Sequence, residues 1–121
     1  MAGVLEGYPK RGEIFWASLD QDSNIDSEQL GHRPVLIIST NIVNQSLSTV
    51  TIAAMTKQIR NGSDDFTMRL ALGDPLEEAS TVLLFHVRTI SNRRLQKRIA
   101  VMRTEQMEEL NAKLKLTWEL Q

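Results

Sequence analysis

Ser27-Glu28-Gln29-Leu30-Gly31-His32-Arg33-Pro34-Val35-Leu36-Ile37-Ile38 joins a polar loop to the longest apolar run in the chain. The apolar residues in that run do not alternate with polar ones. Such a run reads as a strand buried on both faces, and the pattern carries it from Pro34 to Thr40. The run is too short for a membrane span, which needs roughly 20 apolar residues. Pro34 pushes Arg33 towards an extended conformation, so a guanidinium stands at the rim of a rigid element. There it is able to bind phosphate as a fork, or to pair as a loop arginine with one of the nearby acids.

Outward from this strand, the chain reads as a series of short strands. Arg11 to Leu19 is rich in aromatic and β-branched residues and is expected to form the first. Asp20 to Arg33 is a long polar loop, and loops of that length in small domains often carry function. Asn41 to Ser46 suits a turn or a short helical connector. Ser48 to Thr56 reads as a third strand, and Lys57 to Asp64 as a second polar loop. Phe66, Met68 and Leu70 alternate with Thr67 and Arg69, the pattern of a half-buried strand. Gly73-Asp74-Pro75 is a turn. Ser80 to Val87 and Leu95 to Met102 are two further strands. Thr104 is placed to cap a closing helix from Glu105 to Trp118. Met107, Leu110, Leu114 and Trp118 recur at helical spacing, so one face of that helix docks on the sheet. The fold class is therefore mainly β: a small, bent antiparallel barrel with a C-terminal helix. Residues 1–10, broken by Gly3, Gly7 and Pro9, read as a flexible N-terminal segment, and 11–121 as one domain.

The 121 residues are 41% apolar and 24% charged, with a net charge of −1. That is the profile of a soluble globular chain. The charge is unevenly spread. Asp20 to Glu28 holds four acids and no base, whereas Ala79 to Thr104 holds six cations and no acid. There is no cysteine, which removes disulfides and thiol nucleophiles. His32 and His86 lack metal-ligand spacing, no glycine-rich phosphate loop is present, and no nucleophile elbow supports a serine triad. No cofactor and no metal are expected. Met1 to Lys10 lacks a signal-peptide core, so a cytoplasmic location is the default.

A second candidate segment is Ala53-Ala54-Met55-Thr56-Lys57-Gln58, where a strand ends in a hydroxyl followed by a cation. Thr56 is able to donate to a phosphate oxygen while Lys57 adds charge, or it is an ordinary strand-end threonine. Threonine has no pKa suited to acting alone as a base, so any proton transfer there needs help.

Taken in order, four pieces resemble the MazF/PemK (Kid) family of toxin endoribonucleases. They are Arg11-Gly12-Glu13-Ile14-Phe15-Trp16; Ser27 to Ile38 with its Gly-x-Arg-Pro step; Ala53-Ala54-Met55-Thr56; and Val87-Arg88-Thr89-Ile90 followed by Arg94-Leu95. The helix from Leu110 to Leu120 is also similar, and the resemblance covers about residues 11–120. It implies an SH3-like, CcdB-like barrel that forms a homodimer and binds single-stranded RNA along the dimer groove. It implies a type II toxin with a cognate antitoxin whose acidic tail fills that groove, and no association with membrane. It implies metal-independent cleavage by 2′-hydroxyl attack, leaving 2′,3′-cyclic phosphate and 5′-hydroxyl ends. By position, Arg33 and Thr56 match the catalytic pair. Glu28, Gln29, Lys57, Gln58, Phe85, His86 and Arg88 are the expected RNA-binding residues.

Two departures accompany the likeness. The loop from Asp20 to Glu28 is about two residues longer than usual, with Asp26 where glycine is common. Phe85 and His86 stand where many relatives carry an acid and then glutamine. Phe85 then either stacks on a base or packs in the core, and His86 either contacts RNA or makes an edge contact. Two other readings fit the same fold: a CcdB-like gyrase poison acting through Leu116 to Gln121, and a binding protein that has lost cleavage.

Overall fold

The computed structural model describes residues 7–19, 31–57, 66–70 and 80–119. Within them run β1 (Glu13–Leu19), β2 (Gly31–Ile37), helix α1 (Asn41–Ser46), β3 (Thr49–Thr56), β4 (Thr67–Leu70) and β5 (Ser80–Ser91). A 3-10 turn (Asn92–Arg94), β6 (Leu95–Val101) and helix α2 (Thr104–Trp118) follow. The polar loops and the turn at Gly73–Pro75 expected from sequence lie outside the described residues.

One six-stranded sheet takes the order β4-β5-β3-β2-β1-β6, and every pairing in it is antiparallel. It curls into a half-barrel closed on one side by α2. β2 is buried on both faces, as its unalternating run requires: Leu36 joins one core cluster while Val35 and Ile37 join another. β3 divides likewise, with Ala53 and Met55 on the first side and Val50 and Ile52 on the second. The first cluster, built on Ile14, Leu36, Met55, Met68 and Leu84, lies beneath α2 through Leu110. Truncating a fully buried residue such as Leu36 to alanine costs about 2–5 kcal/mol.

β1, the end of β2 and α2 meet at Gly12. Its N–H donates to the Ile37 carbonyl at 2.9 Å, and its own carbonyl accepts from Met102 N at 2.9 Å. Its φ is +92°, and a Cβ there would stand 3.0 Å from Met107 Sδ. The positive φ favours glycine there, and a Cβ would also crowd the Met107 side chain. Arg11 precedes the first strand rather than opening it. Its Nε donates to the Ile38 carbonyl at 2.8 Å and its guanidinium to Asn111 Oδ1 at 2.8 Å. Burial pushes that guanidinium below its ordinary pKa. Arg11 thus ties β2 to α2.

Several details differ from the sequence reading. β2 begins three residues early, at Gly31, because pairing with β1 carries through Pro34. β5 continues beyond Val87 to Ser91. Thr104 is the first residue of α2 rather than its cap. Arg103 precedes the helix, with its N–H donating to Gln106 Oε1 at 2.9 Å. Phe66, expected to bury with Met68 and Leu70, is 44% exposed.

Candidate active site

The site is set by the point where β2 and β3 stop pairing. Their ladder matches Ile37 with Ile52, Leu36 with Ala53 and Val35 with Ala54. Pro34 has no N–H to donate, and it is towards β3 that the ladder ends there. Towards β1, β2 stays paired down to Gly31 opposite Leu19. Continued one for one, the β2–β3 register sets Arg33 opposite Thr56 and His32 opposite Lys57. Opposed residues project from the same face. The two residues singled out by sequence therefore stand just beyond the last paired residues of β2 and β3.

A recess of about 360 Å³ opens between those strand ends, lined by Trp16, His32, Arg33, Pro34, Met55, Thr56 and Lys57. Arg33 is exposed at its rim, while Thr56 is 7% exposed. Trp16 and His32 stack with centroids 4.9 Å apart and planes 15° from parallel. No acid lines the recess among the described residues. A guanidinium fork, a hydroxyl and an ammonium around a concave space suit an anion with several oxygens. The stacked ring pair beside them offers an aromatic surface of the kind on which bases stack. Gly31, at φ +83°, brings the chain into this strand in a conformation that side chains disfavour.

β5 borders the site from the other side of β3. It pairs from Ser91 opposite Thr49 to Val87 opposite Ala53, then resumes with Leu83 opposite Ala54. Leu84, Phe85 and His86 thus bulge out between two regular halves. Leu84 N donates to the Phe66 carbonyl at 3.0 Å, and the Leu84 carbonyl accepts from Trp118 Nε1 at 2.9 Å. The bulge is therefore anchored to β4 and to α2. Phe85 is 37% exposed, edge-on to Phe66 at 5.5 Å and to His86 at 5.1 Å. It lies beyond Leu83, which stands opposite Ala54, two residues along β3 from Thr56. Past the bulge, Thr81 stands opposite Thr56, and Arg69 opposite Thr81. One transverse row therefore runs Arg69–Thr81–Thr56 across three strands.

Of the residues expected from sequence, the structure brings together Arg33, Thr56 and Lys57, and sets Phe85 and His86 one strand away. Arg88 pairs with Ile52, four residues from Thr56 and so roughly 13 Å along β3. Glu28, Gln29 and Gln58 lie outside the described residues. Trp16, His32 and Met55 line the recess without having been expected there. The signal for Trp16 and His32 was alternation, which puts residues 16, 32 and 34 on one face once the β1–β2 register is known. Among the described residues no three metal-ligating side chains come together, and no helix is long and apolar enough to cross a membrane.

Residues 10–117 match the model of the PemK-like, MazF-like toxins of type II toxin–antitoxin systems. The chain belongs to that family. It is 33% identical over 109 residues to the endoribonuclease EndoA of Bacillus subtilis, covering 89% of this chain and 92% of that one. It is 30% identical over 103 residues to the endoribonuclease MazF of Staphylococcus saprophyticus, covering 84% of each. Among solved structures, a mycobacterial endoribonuclease in complex with its cognate antitoxin aligns with a TM-score of 0.75 at 21% identity. That alignment covers 93% of this chain and 97% of the other. The Mycobacterium tuberculosis toxin MazF-mt6 aligns with a TM-score of 0.73 at 24% identity, over 90% and 98%. These structural likenesses establish that the family's curled sheet and C-terminal helix are the fold of this chain.

Proposed function

We propose that this toxin is a sequence-specific endoribonuclease that cuts single-stranded RNA at the recess, with Arg33 and Thr56 carrying the cleavage. Family membership and two curated relatives named as endoribonucleases support the activity. The observation that supports the site is the recess at the ends of β2 and β3, which Arg33, Thr56 and Lys57 line together. In the reaction the ribose 2′-oxygen attacks the adjacent phosphorus, its proton leaves, and the P–O5′ bond breaks. The 5′-oxygen takes up a proton, leaving a 2′,3′-cyclic phosphate and a 5′-hydroxyl. Negative charge builds on the phosphoryl oxygens, and a guanidinium held at the rim stabilises it as it forms. Thr56 donates a hydrogen bond to the same group, and Lys57 adds charge. Neither step calls on a metal or a cofactor.

Glu28, Gln29, Gln58, Phe85, His86 and Arg88 complete the RNA surface in this reading, and residues 11–121 act as one domain after the 1–10 segment. A homodimer provides the groove, and a cognate antitoxin with an acidic tail competes for it, as suits a recess lined by Arg33 and Lys57. The protein works in the cytoplasm, where mRNA is the substrate and loss of translation the outcome. Reading short sites on single strands depends on stacking and base-edge contacts more than on a basic field. A net charge of −1 is compatible with that. The test is incubation of the purified protein with a kilobase-length transcript in EDTA, followed by mapping of 5′-hydroxyl ends. Cleavage at a short recurring sequence that is lost in Arg33→Ala is expected. Absence of such cleavage, or an Arg33→Ala variant as active as the parent, refutes the reading.

A further inference from the structure

Two pairs of threonines face each other directly across the β3–β5 ladder: Thr51 opposite Thr89, and Thr56 opposite Thr81. Directly opposed side chains share a face, with Cβ atoms about 5 Å apart, and threonine pairs at such positions commonly join their hydroxyls. At the first pair they do, with the two Oγ1 atoms 2.9 Å apart. At the second they do not. Thr81 is 1% exposed, and its Oγ1 is a buried hydroxyl with no hydrogen-bond partner among the described residues. Strand pair, residue types and opposition are the same, yet the outcome differs. A buried polar atom left unpaired destabilises a fold, and valine would fill the same space without that penalty. The hydroxyl that stays unpaired is the one across the strand from the site threonine.

We propose that Thr81 is a positioning residue for Thr56. When RNA occupies the recess, rotation about the Thr81 Cα–Cβ bond brings its hydroxyl to donate to Thr56 Oγ1. That contact fixes the Thr56 rotor, so that the Thr56 hydroxyl donates to a non-bridging oxygen of the scissile phosphate. Thr81 does not line the recess, so it acts through Thr56 rather than on the substrate. The Thr51–Thr89 bond shows that this ladder accommodates the paired geometry. The inference rests on the reading of Thr56 as part of the active site.

The test uses the full chain and a fluorophore–quencher oligoribonucleotide spanning a site mapped on the long transcript. Thr81→Val is expected to melt at or above the parent temperature while kcat falls about tenfold and KM stays unchanged, the size of one lost hydrogen bond in the transition state. Thr81→Ser keeps the hydroxyl and is expected to stay within about twofold of the parent. In a Thr56→Val background, Thr81→Val adds nothing further. Parental kcat in Thr81→Val, an equal loss in Thr81→Ser, or independent losses in the double variant each overturn the positioning role. Parental kcat in Thr56→Val refutes the site reading instead, so the two failures are distinct.

Discussion

Replacing Trp118 by phenylalanine isolates the tether that holds the β5 bulge. The substitution keeps an aromatic ring at the end of α2 and removes one donor, the indole N–H that reaches the Leu84 carbonyl at 2.9 Å. Leu84 is fully buried, so its carbonyl has little access to water on the core side. Trp118 is 48% exposed, so solvent reaches the bond from the other side. A buried carbonyl left without its donor costs about 1–3 kcal/mol, and this exposure sets the loss near the lower end, about 1 kcal/mol. For a domain of this size that lowers Tm by about 4 °C. Calorimetry measures the shift, and hydrogen exchange resolved to the segment around Leu84 to Val87 measures where it arises. Exchange there is expected to rise about fivefold, the same free energy expressed as a local opening. Protection at Val35 to Ile37 should fall only as far as global stability does. A Tm within a degree of the parent, with unchanged exchange at the bulge, would refute the claim that the indole holds it.

Three further expectations concern the site. Arg33→Lys keeps the charge and loses the fork, so kcat should fall about a hundredfold with an unchanged melt; activity equal to the parent would mean that charge alone suffices. Phe85→Ala should change which sequences are cut, read by sequencing 5′-hydroxyl ends from a whole-transcript digest, because stacking on an exposed ring discriminates among bases. An identical set of sites excludes Phe85 from recognition. Gly31→Ala meets open space but keeps φ at +83°. Urea unfolding should therefore show a loss of about 1–2 kcal/mol from backbone strain alone. No loss would mean that the chain relaxes out of that conformation at no cost.

Much of the fold was legible because it is periodic. Val35 and Ile37 against Leu36, and Met107, Leu110 and Leu114 at helical spacing, announce their faces without any knowledge of their partners. Arg33 was legible as a residue held extended by Pro34. Its nearness to Thr56 was legible only through the family resemblance, because the two stand 23 positions apart and only the fold brings them to one recess. The bulge was hidden for the same reason. Leu84, Phe85 and His86 look like any other stretch of an apolar strand, and they become an insertion only when counted against Ala53 and Ala54. The early start of β2 was missed because Gly31 and Pro34 are turn signals locally, and pairing with β1 overrides them. Arg11 looked like part of a strand because its role depends on Ile38 and Asn111, which lie far along the chain.

The interruption of β5 also bears on how such a chain varies over generations. The strand keeps register with β3 on both sides of three residues that take no part in that register. Substitutions at Phe85 and His86 therefore leave the pairing of Ser80 to Leu83 and of Val87 to Ser91 untouched. A lineage is free to rewrite those two positions, next to the recess, without renegotiating the sheet that supports them. The cost usual to altering a central strand is therefore small at those two positions.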